Sequence, residues 1–239
     1  MIARLFLIPI ALVAFAASAN PIEFRAEYRG DFVGLPVQAK AVRELTRMDN
    51  GHYRLTSSAE ALFVSITESS EFTYEDERWL PDSYHYQRQG LGKNKNEQHF
   101  FDWPEMTMNY RDTVVAAEPG ALDKLSYQLK LRADVMKALA SDDNNVELSY
   151  LIADEEKFKQ YRFRIIGEEV LATPLGEINT VRVDRIRETS ERQTSFWLAI
   201  DYEFLLVRLK QLETRNRGFE LNLQAATIAG TPLTKSSVE

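Results

Sequence analysis

Residues 119–145, PGALDKLSYQLKLRADVMKALASDDNN, decide the fold. Within them Leu122, Leu125, Leu129, Ala133, Met136 and Leu139 or Ala140 recur three or four apart, the spacing of one apolar helix stripe. Pro119-Gly120 breaks the segment before it. Asp123 stands where a carboxylate complements a helix N-terminus, and the Ser141–Asn145 run is a turn-rich stop. Almost everything else in the chain alternates with period two. The expectation is therefore a mainly β protein: a large antiparallel curved sheet or unclosed β-barrel, with one principal helix at about 120–140 packed against it.

Working outward, Ile22, Phe24, Ala26 and Tyr28 alternate with Glu23, Arg25, Glu27 and Arg29, as in a strand with one buried and one wet face. Val37–Thr46 reads as its hairpin partner, and Asn50-Gly51 as the turn before Tyr53–Ala61. Leu62–Tyr74 continues the pattern, Leu80-Pro81-Asp82 reads as a turn, and Ser83–Gln89 with Glu97–Trp103 reads as a pair around the polar Gly90–Asn96 loop. After the helix come Val146–Ile152, Phe158–Ile166, Glu169–Thr173, Ile178–Glu188, Gln193–Ile200, Phe204–Thr214 and Phe219–Thr227. About a dozen strands at this spacing suit a sandwich or barrel.

At the N-terminus, Arg4, the apolar run Leu5–Ala16 and the small residues Ala17-Ser18-Ala19 have the form of a secretory signal. The run is shorter than the roughly 20 residues of a spanning helix. The chain is thus expected to divide into a signal at 1–19, a single β-rich domain at 20–230 and a flexible tail at 231–239, with a periplasmic destination. No transmembrane segment is expected in the mature chain. The formal net charge is −7, and loss of Arg4 with the signal makes the remainder one unit more negative. No Lys/Arg block stands out, which argues against nucleic acid as a partner. There is no cysteine, hence no disulfide, thiolate metal site, cysteine nucleophile or lipidated cysteine.

Few motifs carry chemistry. No serine lies in a Gly-x-Ser-x-Gly elbow, so nucleophilic hydrolysis has no positive support. Asp142-Asp143, Asp154-Glu155-Glu156 and Glu168-Glu169 read as solvated charge. His52, His85 and His99 lack metal-ligand spacing and read as half-exposed strand residues; no metal and no cofactor is expected. Thr173-Pro174-Leu175-Gly176 is a turn, because proline fixes one dihedral and glycine permits a positive φ. Phe101-Asp102-Trp103-Pro104 sets a carboxylate between two aromatics. An acid against an apolar binding wall and a turn carboxylate holding backbone N–H groups both fit, and the turn is favoured. Asp201, four residues after Trp197, reads the same way.

An early aromatic strand ending in glycine (Phe24–Gly30), Leu80-Pro81 with Tyr84, Phe101-Asp102-Trp103, Asp123-Lys124-Leu125-Ser126, Thr173-Pro174-Leu175-Gly176 and Trp197-Leu198-Ala199 with Asp201 occur in order along nearly the whole mature chain. In this the sequence resembles domain of unknown function family 3108 of the bacterial envelope. The resemblance implies a secreted, β-rich protein without an established activity, similar in general shape to unclosed barrels that carry lipoproteins or lipids.

The 13 Phe, 10 Tyr and 3 Trp residues exceed what one short helix covers. An apolar cavity is therefore expected between the concave sheet and the Leu122–Ala140 helix. Phe101, Asp102, Trp103, Leu129, Met136 and Trp197 are its nominated ligand-binding residues. The function expected is a non-catalytic binding or carrier protein for a hydrophobic or lipid-like ligand. The alternative is a cell-envelope assembly factor engaging a protein through a strand edge or the Gly90–Asn96 loop.

Overall fold

The structure is a computed structural model that describes residues 21–33, 37–90, 92–141, 146–188, 192–214 and 217–234. The proposed signal at 1–19 lies outside them. Fifteen strands and one helix follow in order: β1 (Phe24–Phe32), β2 (Gln38–Arg47), β3 (Tyr53–Ala61), β4 (Val64–Glu75), β5 (Arg78–Gly90), β6 (Lys95–Asp102), β7 (Thr107–Tyr110), β8 (Thr113–Ala116), α1 (Ser126–Ala140), β9 (Glu147–Asp154), β10 (Lys157–Thr173), β11 (Gly176–Ile186), β12 (Gln193–Ala199), β13 (Leu205–Thr214), β14 (Arg217–Ile228) and β15 (Thr231–Pro232). All belong to one antiparallel sheet in the order β8-β7-β6-β5-β4-β3-β2-β1-β14-β13-β12-β11-β10-β9, with β15 paired to β14. Strand pairing does not close the sheet: β8 and β9 are its edges. The β15 pairing places Thr231 and Pro232 in the sheet rather than in a free tail; residues 235–239 are outside the described residues.

The period-two pattern works as the pleat requires. In β1, Phe24, Ala26, Tyr28 and Gly30 are buried while Arg25, Glu27 and Arg29 are exposed. Two expected boundaries shift. Leu80-Pro81-Asp82 is not a turn but part of β5, at a bulge where Phe72 pairs with Pro81 and Glu71 with Ser83. The bulge accommodates a residue that cannot donate to the ladder, and the reversal falls instead at Asp76-Glu77, both with positive φ. The two strands expected at 158–173 are one, bent by a bulge beside Gly167.

The helix lies within the expected 120–140 but begins only at Ser126, so Leu122 and Leu125 precede it, and it is buried differently. Leu125 and Leu129 are buried; Ala133, Met136 and Leu139 are only partly so. Tyr127, Leu131, Val135 and Ala138, which fall outside the expected stripe, are buried instead. The helix therefore sits inside the curved sheet with apolar contact on more than one side. Its N-terminus is capped from upstream: Asp123 Oδ1 accepts the Leu125 and Ser126 N–H groups at 2.7 and 2.9 Å, and Ser126 Oγ accepts the Asp123 N–H at 3.0 Å. Ser70 of β4 donates to Asp123 Oδ2 at 2.6 Å, tying the cap to the sheet. From there the helix descends toward the turns at residues 76–77 and 200–204, where Lys137 pairs with Glu77 and Arg132 donates to the Glu203 carbonyl.

The open seam is tied by side chains. Leu122 bridges Ile152 of β9 in parallel. Lys124 then spans the gap, 2.9 Å from Glu97 of β6 and 2.8 Å from Asp154 of β9. His99 Nε2 meets the Glu155 carbonyl at 3.0 Å. Burial alone would raise the Glu97 carboxyl, but Lys95 and Lys124 outweigh it and hold it below the usual carboxylate range. Asp154 is likewise held down to about 2, burial being outweighed by Lys124 and Lys159.

Candidate binding site

Call the end with the residue 76–77 turn the lower end, and the end with the β3–β4 hairpin the upper. Inward positions at the lower end are large: Leu45, Tyr53, Leu55, Phe72 and Trp79 are all buried, with Tyr53 stacked on Phe72 and Phe72 against Trp79. With α1 they fill the space. Between the helix and the sheet, where Leu129, Leu131, Phe24 and Leu205 meet, only a void of about 20 Å³ remains. Among the described residues that interface is filled where a cavity was expected, because the aromatics meant to line it pack on one another and on the helix.

The upper end differs. There the inward residues of β1 to β3 are Gly30, Ala39, Ala41, Ala59 and Ala61, whose short side chains leave the concavity hollow. A Cβ on Gly30 would already approach the Ala39 Cβ to 3.0 Å. The result is a cavity of about 350 Å³ lined mostly by apolar side chains: Phe32, Val37, Ala39, Ala59, Ala61, Leu62, Phe63, Val64 and Ile66, with Glu60 and Arg88 as its charged members. Its rim is the β3–β4 turn, where Leu62 and Phe63 are 78% and 76% exposed. Gly90 braces that rim: a Cβ there would lie 1.7 Å from the Phe63 carbonyl oxygen, and its φ is +103°.

One pleat below the cavity wall, the register lines up Ala26, Arg43, Ser57, Glu68, Tyr86 and Glu97 across six strands. All face inward, so the apolar cavity has a polar floor. Glu68, on this row, is half-buried. Burial pushes its carboxyl up to about 7, Arg43 and Lys124 draw it down, and Asp123 and Glu97 push it up again. On β10 and β11, Tyr161 and Arg185 share the inward parity of buried Phe163 and Val183, with Arg187 two residues beyond Arg185; the Arg185 guanidinium lies over the Tyr161 ring. Tyr127, in the first turn of α1, lies between the two walls. Burial raises its hydroxyl, Arg185 and Arg43 lower it, and Tyr161 and Glu68 raise it.

The residues nominated from sequence do not form one site. Phe101 and Trp103 stack on each other, Trp103 donates to the Pro81 carbonyl, and Asp102 accepts the Glu105 N–H; this is the turn reading. Leu129 belongs to the packed helix interface and Met136 is partly buried against it. Trp197 is buried elsewhere, between the guanidiniums of Arg182 and Arg208 with its indole N–H on Glu169. Asp201 accepts from Asn179. His99 is fully buried and stacked between Tyr84 and Tyr110 rather than half-exposed. Among the described residues no cluster of three His or acidic side chains could hold a metal. An outer groove of about 380 Å³ between Arg29, Asp31, Arg208 and Glu220 has its charges paired to one another. The sequence signal for the upper site was the run of small residues at 39, 41, 59 and 61, unremarkable until the register sets them side by side.

These features define an open, β-barrel-like protein with a hollow upper end. The chain belongs to the family described as "Protein of unknown function (DUF3108)", whose model matches residues 23–223. A solved structure is similar in fold: a β-barrel-like protein of domain of unknown function DUF1849 from Brucella abortus, with TM-score 0.57 and 6% identity over 87% of this chain and 98% of that one. No curated protein matches the sequence. Among the described residues, no helix is long and apolar enough to cross a membrane.

Proposed function

We propose that this is a non-catalytic binding or carrier protein that holds a hydrophobic, lipid-like molecule in the upper chamber, and that it works in the periplasm after loss of residues 1–19. The observation that carries the reading is the cavity of about 350 Å³ with a mostly apolar lining. That is within the roughly 300–1,000 Å³ of small-molecule sites, and such sites combine an apolar wall with a few convergent polar groups. The exposed Leu62 and Phe63 give an apolar ligand a graded path from an apolar surface into the interior.

The test uses an uncharged fluorescent dye whose emission rises in apolar surroundings. Binding should be saturable and lost when Ala59→Trp fills the cavity. No binding by the folded wild-type protein sinks the reading. The location is tested separately: N-terminal sequencing of protein from the envelope fraction should begin at Asn20.

A second reading, an envelope assembly factor, is favoured by the β8 edge, where Val114 is 63% exposed. Such an edge can accept a strand from another chain. Retention of a protein sensitive to Val114→Lys, with no dye binding, selects it.

A further inference from the structure

Resting on the carrier reading, we infer that the ligand is an amphiphile with an anionic head, its apolar chain along the alanine-lined wall and its head held on the chamber floor by Arg43 and Arg185. The inference starts from unmet donors. Arg43 is 7% exposed, and its Nε has no hydrogen-bond partner among the described residues. The buried Nε atoms of Arg185 and Arg187 also have none. A buried donor without a partner has lost its water and gained nothing in return, the more so when charged, so each such group needs an explanation. None of the three arginines is ion-paired within the described residues. At the seam, by contrast, buried charge is paired, as between Lys124, Glu97 and Asp154.

The placement of the three cations points the same way. Arg43 borders the void of about 20 Å³ beside the helix and stands one pleat beneath the upper cavity, on the inward row directly below Ala41 and one strand from Ser57, whose next inward neighbour is the cavity residue Ala59. Arg185 faces in from β11, two residues on from buried Val183, and both it and Arg43 act on the Tyr127 hydroxyl. The acid that shares the floor, Glu68, makes no ion pair with Arg43, and burial keeps it largely uncharged until about pH 7. Crowding shows at Arg187 as well: burial, then Arg185 and Arg192, bring it down to about 10. A carboxylate or phosphate head would supply the missing acceptors in the forked geometry guanidinium favours. Metal or positively charged ligands would add to the imbalance.

The experiment measures, by calorimetry on the mature chain and below micelle-forming concentrations, dodecanoate, dodecyl phosphate, dodecanol, dodecyltrimethylammonium and inorganic phosphate alone. Both anionic amphiphiles should bind roughly tenfold or more tightly than dodecanol. Phosphate alone and the cationic amphiphile should bind little. Dodecanoate and dodecyl phosphate differing by more than tenfold identifies which head the site takes. Arg43→Gln and Arg185→Gln should each lose about tenfold for the anionic amphiphiles and leave dodecanol unchanged, whereas Arg43→Lys should recover part of the loss. If Arg43→Gln does not fold, Arg185→Gln carries the comparison. Equal binding of dodecanol and the anions, insensitive to both arginines, overturns the head-group inference and leaves the carrier reading standing. Phosphate alone binding as tightly as dodecyl phosphate overturns the amphiphile in favour of a free-anion site. Failure of every chain-bearing probe overturns both readings.

Discussion

The two ends of this sheet are built on the same strands and differ mainly in side-chain size. Along β2 and β3 the inward residue changes from Leu45 and Leu55 at the lower end to Ala39, Ala41, Ala59 and Ala61 at the upper. Every one of these is apolar and compatible with a strand, so the pleat, pairing and twist continue without interruption. What changes is the volume each contributes. Below, the large residues meet α1 and leave a void of about 20 Å³; above, small ones leave about 350 Å³. One end holds the fold together and the other is free to hold something else.

The largest effect should come from breaking the lower end. Phe72 is fully buried between Tyr53 and Trp79. Phe72→Ala should destabilise by about 3–5 kcal/mol through lost burial and a residual cavity. Urea unfolding checks this. A loss under 1 kcal/mol would mean that the lower end is no better packed than the upper.

Next comes the seam. Lys124→Met leaves the buried Glu97 with Lys95 alone and removes one of two partners from Asp154. The cost should be about 3 kcal/mol, because removing one partner strands a desolvated charge. The sign with pH follows from the depressed carboxylates. Their contribution is complete above the unfolded carboxylate range and is lost as pH falls through the folded value, about 2 for Asp154. The gap between wild type and Lys124→Met should therefore narrow on acidification below about pH 4. A gap that is constant from pH 7 to pH 2.5 would show that Lys124 acts by packing.

Much of the architecture was legible in the alternation, because a sheet with one buried face writes itself in period two. Phe24, Ala26 and Tyr28 needed nothing more. The helix was legible for the complementary reason, though not its burial: Leu131 and Val135 fall off the expected stripe, and only a helix enclosed by a curved sheet buries them. The site was the least legible part. A pattern of apolar and polar residues treats Ala59 and Leu55 alike, so a hollow becomes visible only once four strands are in register. Nothing local marks Arg43 and Glu97 as buried, and Asp123, legible as a carboxylate at the helix N-terminus, is buried by contacts that include Ser70 from far back in the chain. The aromatic content suggested a cavity but placed it at the helix, since it could not reveal that Tyr53, Phe72 and Trp79 stack with one another.

A smaller effect tests the floor that separates the two ends. Glu68 faces Arg43 from β2, Glu97 from β6, and Asp123 and Lys124 from the segment before α1. Its folded-state pKa, about 7, is above the ordinary value of 4.5. Its favourable contribution is then present below the unfolded value and lost as pH rises through about 7. Glu68→Gln should match wild type at pH 4 and exceed it at pH 8 by on the order of 2 kcal/mol, allowing for partial solvent access. Thermal unfolding at the two pH values measures it. Equal stability of the two proteins at pH 8 would place Glu68 in ordinary solvent.

The smallest change in stability should come from the substitution that separates the ends most cleanly. Ala59→Leu adds apolar volume to the upper cavity, where there is room for it, so stability should stay within about 1 kcal/mol of wild type. Ala138→Leu adds the same atoms to a buried helix position at the lower end, where no space remains, and should cost about 1–3 kcal/mol. Helix propensity does not confuse the pair, since alanine and leucine are both strong helix formers. Binding should respond in the opposite sense: Ala59→Leu should weaken uptake of an uncharged apolar dye severalfold, and Ala138→Leu should leave it unchanged. Denaturation and dye titration on the same two variants give all four numbers. If both cost the same and neither alters binding, the ends are equivalently packed and the hollow has no consequence in solution.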